Sequence, residues 1–315
     1  MRARSLLMLS ILVIVAPAFA AQRTFVSTGG NDLNTASNCS LASPCRSFGS
    51  ALSVTGGNGE VVVLDSGGYG SVAIDRSVAI VSPPGVYAGI SVFGGTNGVT
   101  IDAPGTSVAL KGLTINGQGG NAGIDFQKGY SLTIENCEIA NVGGSNTAGI
   151  LARAPNGRVF LRDTLIRNTS FPGIWLKQET VGEKTTLSAE NVTIFISGFA
   201  GIYVGGIGHV GTVEAYLNRV TVVESSGSGI LAESNGSAVL VSISNSEVSR
   251  NGAGVTAGGA GVRMVVAASK IARNLGDGVY QANSAVLLSR GDNIVHDNNG
   301  GGAQTTGAIG SLPPL

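Results

Sequence analysis

Histidine is almost missing from this sequence: His209 and His296 are the only two in 315 residues. They lie far apart, and no Cys or Glu clusters around either, so no metal centre is expected and no cofactor site is read. Charge is thin as well. Only 12% of residues are Asp, Glu, Lys or Arg, and 19 cations balance 19 anions. Such a chain has no field to draw in a phosphate backbone, which argues against nucleic acid as a partner. Aromatic residues make up 5%, too few for a thick core but suited to thin layers filled by Val, Ile, Leu and Ala. Glycine takes their place, with 49 residues. Glycine at that level without a collagen triplet can mark disorder, but 43% hydrophobic content in regular alternation argues for a packed fold.

One apolar run stands apart. Arg2 and Arg4 precede Leu6 to Val15, and Ala18-Phe19-Ala20 follows. A basic start, a short apolar stretch and an A-x-A site predict a secretory signal, residues 1–20, cleaved after Ala20. A retained anchor is disfavoured, because the run is too short to span a bilayer comfortably. No later run is long and apolar enough to cross one, so a soluble mature chain is expected, secreted or periplasmic. Losing Arg2 and Arg4 leaves 17 cations against 19 anions. Export gives meaning to the three cysteines. Cys39 and Cys45 lie six residues apart in a Ser/Asn/Pro-rich loop, and an oxidising compartment permits their disulfide. Cys137 is left as a buried filler rather than a nucleophile.

A beat of Gly followed by Ile or Val recurs at Gly123, Gly149, Gly173, Gly201, Gly229, Gly254 and Gly278, about every 26 residues. Gly89-Ile90 reads as an early copy. Out of phase with it run strand-like octets, apolar at positions 1, 3 and 8. They are Leu132–Ile139, Val159–Ile166, Leu187–Ile194, Ala215–Val222, Val241–Val248 and Met264–Ile271. Position 5 reads Asn136, Asp163, Asn191, Arg219, Asn245, Ala268, residue types that mostly tolerate a left-handed bend. The beat glycine suits a tight or positive-φ backbone. Two short strands per repeat with no helix between them describe one coil of a parallel β-solenoid. Parallel crossovers make right-handed winding the expectation.

Before the repeats the text changes. Thr24–Ser27 reads as a strand, Gly29-Gly30-Asn31-Asp32 as a turn, and Arg46–Val54, after Pro44, as a short helix. Val61-Val62-Val63-Leu64 and Gly68-Tyr69 follow. This stretch resembles the N-terminal cap of secreted right-handed parallel β-helix proteins of the pectate-lyase-like superfamily. The resemblance implies a cap at 21–59; the repeats then give a β-helix at 60–298, and the Gly/Thr/Pro-rich end at 299–315 reads as a loose tail.

That superfamily holds pectate lyases, polygalacturonases, epimerases and tailspikes, and their signatures are not matched. There is no adjacent Asp pair, and the only Gly-His is Gly208-His209-Val210. Trp-x-Asp-His and Asp-Pro-His triplets are absent, so no catalytic residue is named. At octet position 4 the column Glu135, Arg162, Glu190, Asn218 reads as an exposed salt-bridged ladder rather than a carboxylate pair for hydrolysis.

One outward column invites a function. Residues just after each inward Ile or Val are Asp125, Leu151, Trp175, Tyr203, Leu231, Thr256 and Tyr280. Two further along come Gln127, Arg153, Lys177, Gly205 and Glu233. Trp175 and Tyr203 should stack on successive coils with Arg153 and Lys177 beside them. Either a loop, the tail or a second subunit covers this strip, or it is a groove. In the groove reading Asp125, Arg153, Trp175, Lys177 and Tyr203 hold an extracellular, acidic polysaccharide. The rival is a non-enzymatic surface protein using the strip as a protein contact.

Overall fold

The computed structural model describes residues 21–312, with Ser145 and Ile207 excepted; the expected leader, residues 1–20, lies outside the described residues. The octets stack in the expected register. Leu132 pairs with Val159, then Leu187, Ala215, Val241 and Met264, and Ile139 heads the column Ile166, Ile194, Val222, Val248, Ile271. Parallel strands lie about 4.8 Å apart, so each column fuses into one core; Ile139, Ile166, Ile194, Val222, Val248 and Ile271 are each fully buried. The result is an all-β parallel solenoid with, among the described residues, one sheet of nineteen strands and one of ten.

The bend between octet halves is left-handed in every coil. Asn136, Asp163, Asn191, Arg219, Asn245 and Ala268 have φ of 52°, 49°, 52°, 52°, 50° and 44°. Strands Arg158–Thr169, Lys184–Ser197 and Thr212–Val223 run straight through it.

The beat lines up in the ten-stranded sheet as Ile124, Ile150, Ile174, Ile202, Ile230, Val255, Val279. Its glycines are there for close approach, not for positive φ. A Cβ on Gly229 would lie 2.4 Å from Val248 Cγ1 and 2.7 Å from Asn251 Nδ2, and one on Gly254 2.2 Å from the Gly278 carbonyl. The Gly89-Ile90 copy is a misreading. Ile90 pairs with Ile115 in the nineteen-stranded sheet, and the beat column continues back through Val99 and Val72. Alternation alone does not say to which sheet a Gly-Ile pair belongs.

Beside the late beats runs a buried ladder the repeat did not announce. Asn251 Oδ1 accepts from Ser225 N–H, Asn274 Oδ1 from Asn251 N–H, and Asn298 Oδ1 from Asn274 N–H, at 2.9, 2.9 and 3.0 Å. Each Nδ2 donates back to a carbonyl, of Val222, Val248 or Ile271. Buried amides are thereby satisfied across coils.

At the N-terminal end Ala21–Val26 pairs with Thr55–Val63, and Cys39 is bonded to Cys45. Helix Phe48–Val54 buries Phe48, Ala51 and Leu52, as its pattern implied. It starts two residues after the predicted Arg46, because Asp32 Oδ1 takes the N–H groups of Arg46 and Ser47 and Ser47 is extended. Cys137 is free and buried, and burial pushes its thiol up to about 11. The segment expected as a loose tail instead extends the coils: Thr305–Thr306 pairs with Val279–Ala282, and Ile309–Ser311 with Val286–Ser289. Its Gly and Thr content hid two strands held by backbone pairing, by Ile309 against the core, and by Gln281 Oε1, which accepts from Ala308 N–H. No described helix is long and apolar enough to cross a membrane.

Candidate functional site

The register brings the five singled-out residues together on the outer face of the ten-stranded sheet. Asp125 pairs with Leu151, Leu151 with Trp175, Trp175 with Tyr203 and Tyr203 with Leu231. Trp175 and Tyr203 stack as expected, with centroids 5.3 Å apart and planes at 22°.

They are not, however, an open platform. Trp175 is 4% and Tyr203 3% exposed, within a small second core of Ala148, Leu151, Ala200 and Leu231. Phe171 and Phe199 complete it: they stack on each other at 5.2 Å, Phe171 lies 6.0 Å from Trp175, and Phe199 meets Tyr203 edge-on at 5.3 Å. Of the two readings of the strip, the loop-covered one describes these two rings. The signal lay two residues before the beat, where the coils bearing Trp175 and Tyr203 carry Phe. Polar ends are satisfied too. Trp175 Nε1 donates to the Gly205 carbonyl at 3.0 Å, and Tyr203 Oη to Glu233 Oε2 at 2.8 Å.

The charges beside the rings neutralise one another. Asp125, buried, accepts from Arg153 Nε and Nη2 at 3.2 and 3.0 Å and from Gln127 Nε2 at 2.7 Å. Glu179, which sequence reading missed, sits 3.4 Å from Arg153 and 2.6 Å from Lys177, whose ammonium lies 4.4 Å from the Trp175 ring centroid. Burial works against the Arg153 charge, but Asp125 and Glu179 outweigh it and raise its pKa. Burial likewise opposes ionisation of Glu179, and Lys177 and Arg153 overcome that and lower it. Neither cation is left to meet a ligand anion without first breaking an ion pair.

Further along the same row the side chains stop. Gly205 and Gly258 flank Glu233 in register, and the missing bulk opens a hollow of ≈ 360 Å³ lined by Gly206, Glu233, Ser234, Asn235, Gly258, Gly259 and Asn283. Its walls offer a carboxylate, amides, a hydroxyl and glycine backbone, a set that recognises hydroxyl groups. Close by in sequence, His209 is buried; its Nδ1 accepts from Gln178 N–H at 3.4 Å, and burial lowers its pKa. Among the described residues no three His, Cys, Asp or Glu come together as metal ligands.

Most of the chain is similar in fold to solved structures. A solved pectate lyase, Pel9A, superposes with a TM-score of 0.55 at 13% identity over 91% of this chain and 81% of its own. The fold is that of a pectate-lyase-like β-helix. A rhamnogalacturonan lyase gives 0.50 at 12% identity over 89% of this chain and 75% of its own. No protein family description matches the sequence, and no curated protein is significantly similar to it. At these identities the likeness carries the fold and none of the neighbours' catalytic residues.

Proposed function

We propose that this is an exported right-handed β-helix that binds an extracellular polysaccharide on the outer face of its ten-stranded sheet. The observation that carries the reading is the glycine-floored hollow around Glu233, whose carboxylate accepts from Tyr203 Oη at the end of the ring stack. Sugar hydroxyls are donors and acceptors at once, and Glu233, Asn235 and Asn283 supply both roles. The fold neighbours, a pectate lyase and a rhamnogalacturonan lyase, make a polysaccharide the favoured ligand class. The disulfide fits an oxidising compartment, and helix Phe48–Val54 serves in this reading as the N-terminal cap. An acidic sugar is not favoured here, because Arg153 and Lys177 already face Asp125 and Glu179.

A glycan array tests this, with Gly258→Phe and Glu233→Ala beside the wild type. A Cβ on Gly258 meets nothing nearer than Glu233 Cγ at 4.0 Å, so bulk there fills the hollow without straining the coil. Polysaccharide binding that both variants weaken supports the reading; binding that neither alters sinks it. The self-neutralised strip favours a second reading, a non-enzymatic surface protein, and an array with no binding at all would speak for that.

A further inference from the structure

The nineteen-stranded sheet presents a second face that the column reading passed over. At octet position 2 the register runs Thr133, Phe160, Ser188, Tyr216, Ser242. Phe160 is 46% and Tyr216 52% exposed, where Trp175 and Tyr203 are closed off. Large and small residues alternate, so the two rings stand two strands apart, about 9.6 Å, with only a serine between them. Beside Phe160 a hollow of ≈ 100 Å³ is lined by Thr133, Glu135, Phe160, Arg162, Ser188 and Glu190.

Charge on this face is unbalanced. Three carboxylates each have a cation: Glu135 meets Lys111 at 2.9 Å, Glu214 meets Lys184 at 3.3 Å, and Glu190 pairs with Arg219, while Asp163 in the bend accepts from Asn191 Nδ2. The expected ladder is in register and salt-bridged, with Arg162 and Lys111 on Glu135 and Arg219 on Glu190. Arg162 reaches Glu135 only at 4.0 Å. Arg158 forms no ion pair among the described residues; its guanidinium lies 4.9 Å from the Tyr130 ring centroid and donates to Tyr130 Oη at 2.9 Å. Two guanidinium groups thus flank an exposed phenyl ring, Arg158 outside any described ion pair and Arg162 held only by the long one to Glu135.

We propose that this face binds an acidic polysaccharide running along the solenoid axis. Phe160 and Tyr216 would take the apolar faces of alternate sugar rings, Ser188 a hydroxyl between them, and Arg158 and Arg162 the carboxylates or sulfates. The site is separate from the Glu233 hollow, on another sheet, and does not depend on it.

Titration calorimetry with polygalacturonate, heparin and a neutral glucan tests the proposal. Neighbouring coils supply substitutions the strand already tolerates: Phe160→Ser with Tyr216→Ser, as at Ser188 and Ser242, and Arg158→Thr, as at Thr186. Both polyanions should bind and the glucan should not. The double serine variant should lose about tenfold or more in affinity with an unchanged melting temperature. Arg158→Thr should flatten the salt dependence, while Gly258→Phe should leave polyanion binding intact. Polyanion binding lost with Gly258→Phe but kept by the serine variant would overturn this inference and leave the Glu233 hollow standing. A concentration-dependent dimer dissolved by the serine pair, without polyanion binding, would also overturn it and make the face a contact between copies.

Discussion

Trp175 shows how one residue's role turns on what its neighbours cover. On a bare strand it would be a sugar platform, and its loss would cost only binding. Beneath Phe171, against Tyr203 and tied to the Gly205 carbonyl, it is core. Trp175→Ala should therefore destabilise by about 3–5 kcal/mol, seen as a large drop in the denaturation midpoint; a midpoint like wild type would show the ring to be exposed. The bend column makes the opposite kind of prediction. Ala268 holds φ 44° with its side chain exposed, a conformation that strains a Cβ. Ala268→Gly should relieve that strain and stabilise by up to about 1 kcal/mol, measured by urea unfolding. The same change at Ala267, outside the left-handed region, should not help. Asn274→Ala should cost about 1–3 kcal/mol, because it leaves the Asn251 N–H and the Val248 carbonyl without their cross-coil partner.

Within an element, the stacked columns and the N-terminal segment respond differently. Ile194→Asp puts an unpaired charge into a fully buried column and should abolish cooperative folding or cost more than about 4 kcal/mol. A native-like melt would mean the register is wrong. Reducing Cys39–Cys45 opens a short ring, which limits the effect to about 2 kcal/mol, and proteolysis should begin in that loop while the coils stay closed. Asp65 ties the same end together: it accepts from Tyr69 Oη, Ser27 Oγ, Thr28 N–H and Thr28 Oγ1. The Tyr69 hydrogen bond leads the causes that lower its pKa from 3.8 to about 2. A carboxylate whose folded pKa is depressed stabilises fully above its unfolded pKa, and that contribution is lost as pH falls from about 4 through 2. The stability gap between wild type and Asp65→Asn should therefore be constant above pH 5 and close across that window in urea titrations. A gap that does not vary with pH would remove Asp65 from the acid limb.

For the whole molecule, the solenoid offers long faces rather than one cleft, and two of them differ in kind. The ten-stranded sheet carries a neutralised, partly closed row that opens at Glu233; the nineteen-stranded sheet carries exposed rings and, in Arg158, a guanidinium outside any described ion pair. Salt should separate them. Binding to polyanions on the second face should weaken as ionic strength rises, whereas hydrogen bonding in the Glu233 hollow should change little.

Period and core columns were legible in the chain because stacking repeats one environment every coil, so Ile139, Ile166 and Ile194 announce each other. The left-handed bends were legible for the same reason, even where Arg219 and Ala268 replace Asn. Exposure was not. A strand's alternation says that Trp175 and Phe160 both point outward, but whether anything lies over them depends on the connecting turns, and only the coils bearing Trp175 and Tyr203 put a Phe, Phe171 or Phe199, in that turn. Ion pairing was equally hidden, since Glu179 reaches Arg153 and Lys177 from a loop of irregular length. Local periodicity determined the fold of this protein; contacts between non-periodic turns decided which of its faces meets solvent.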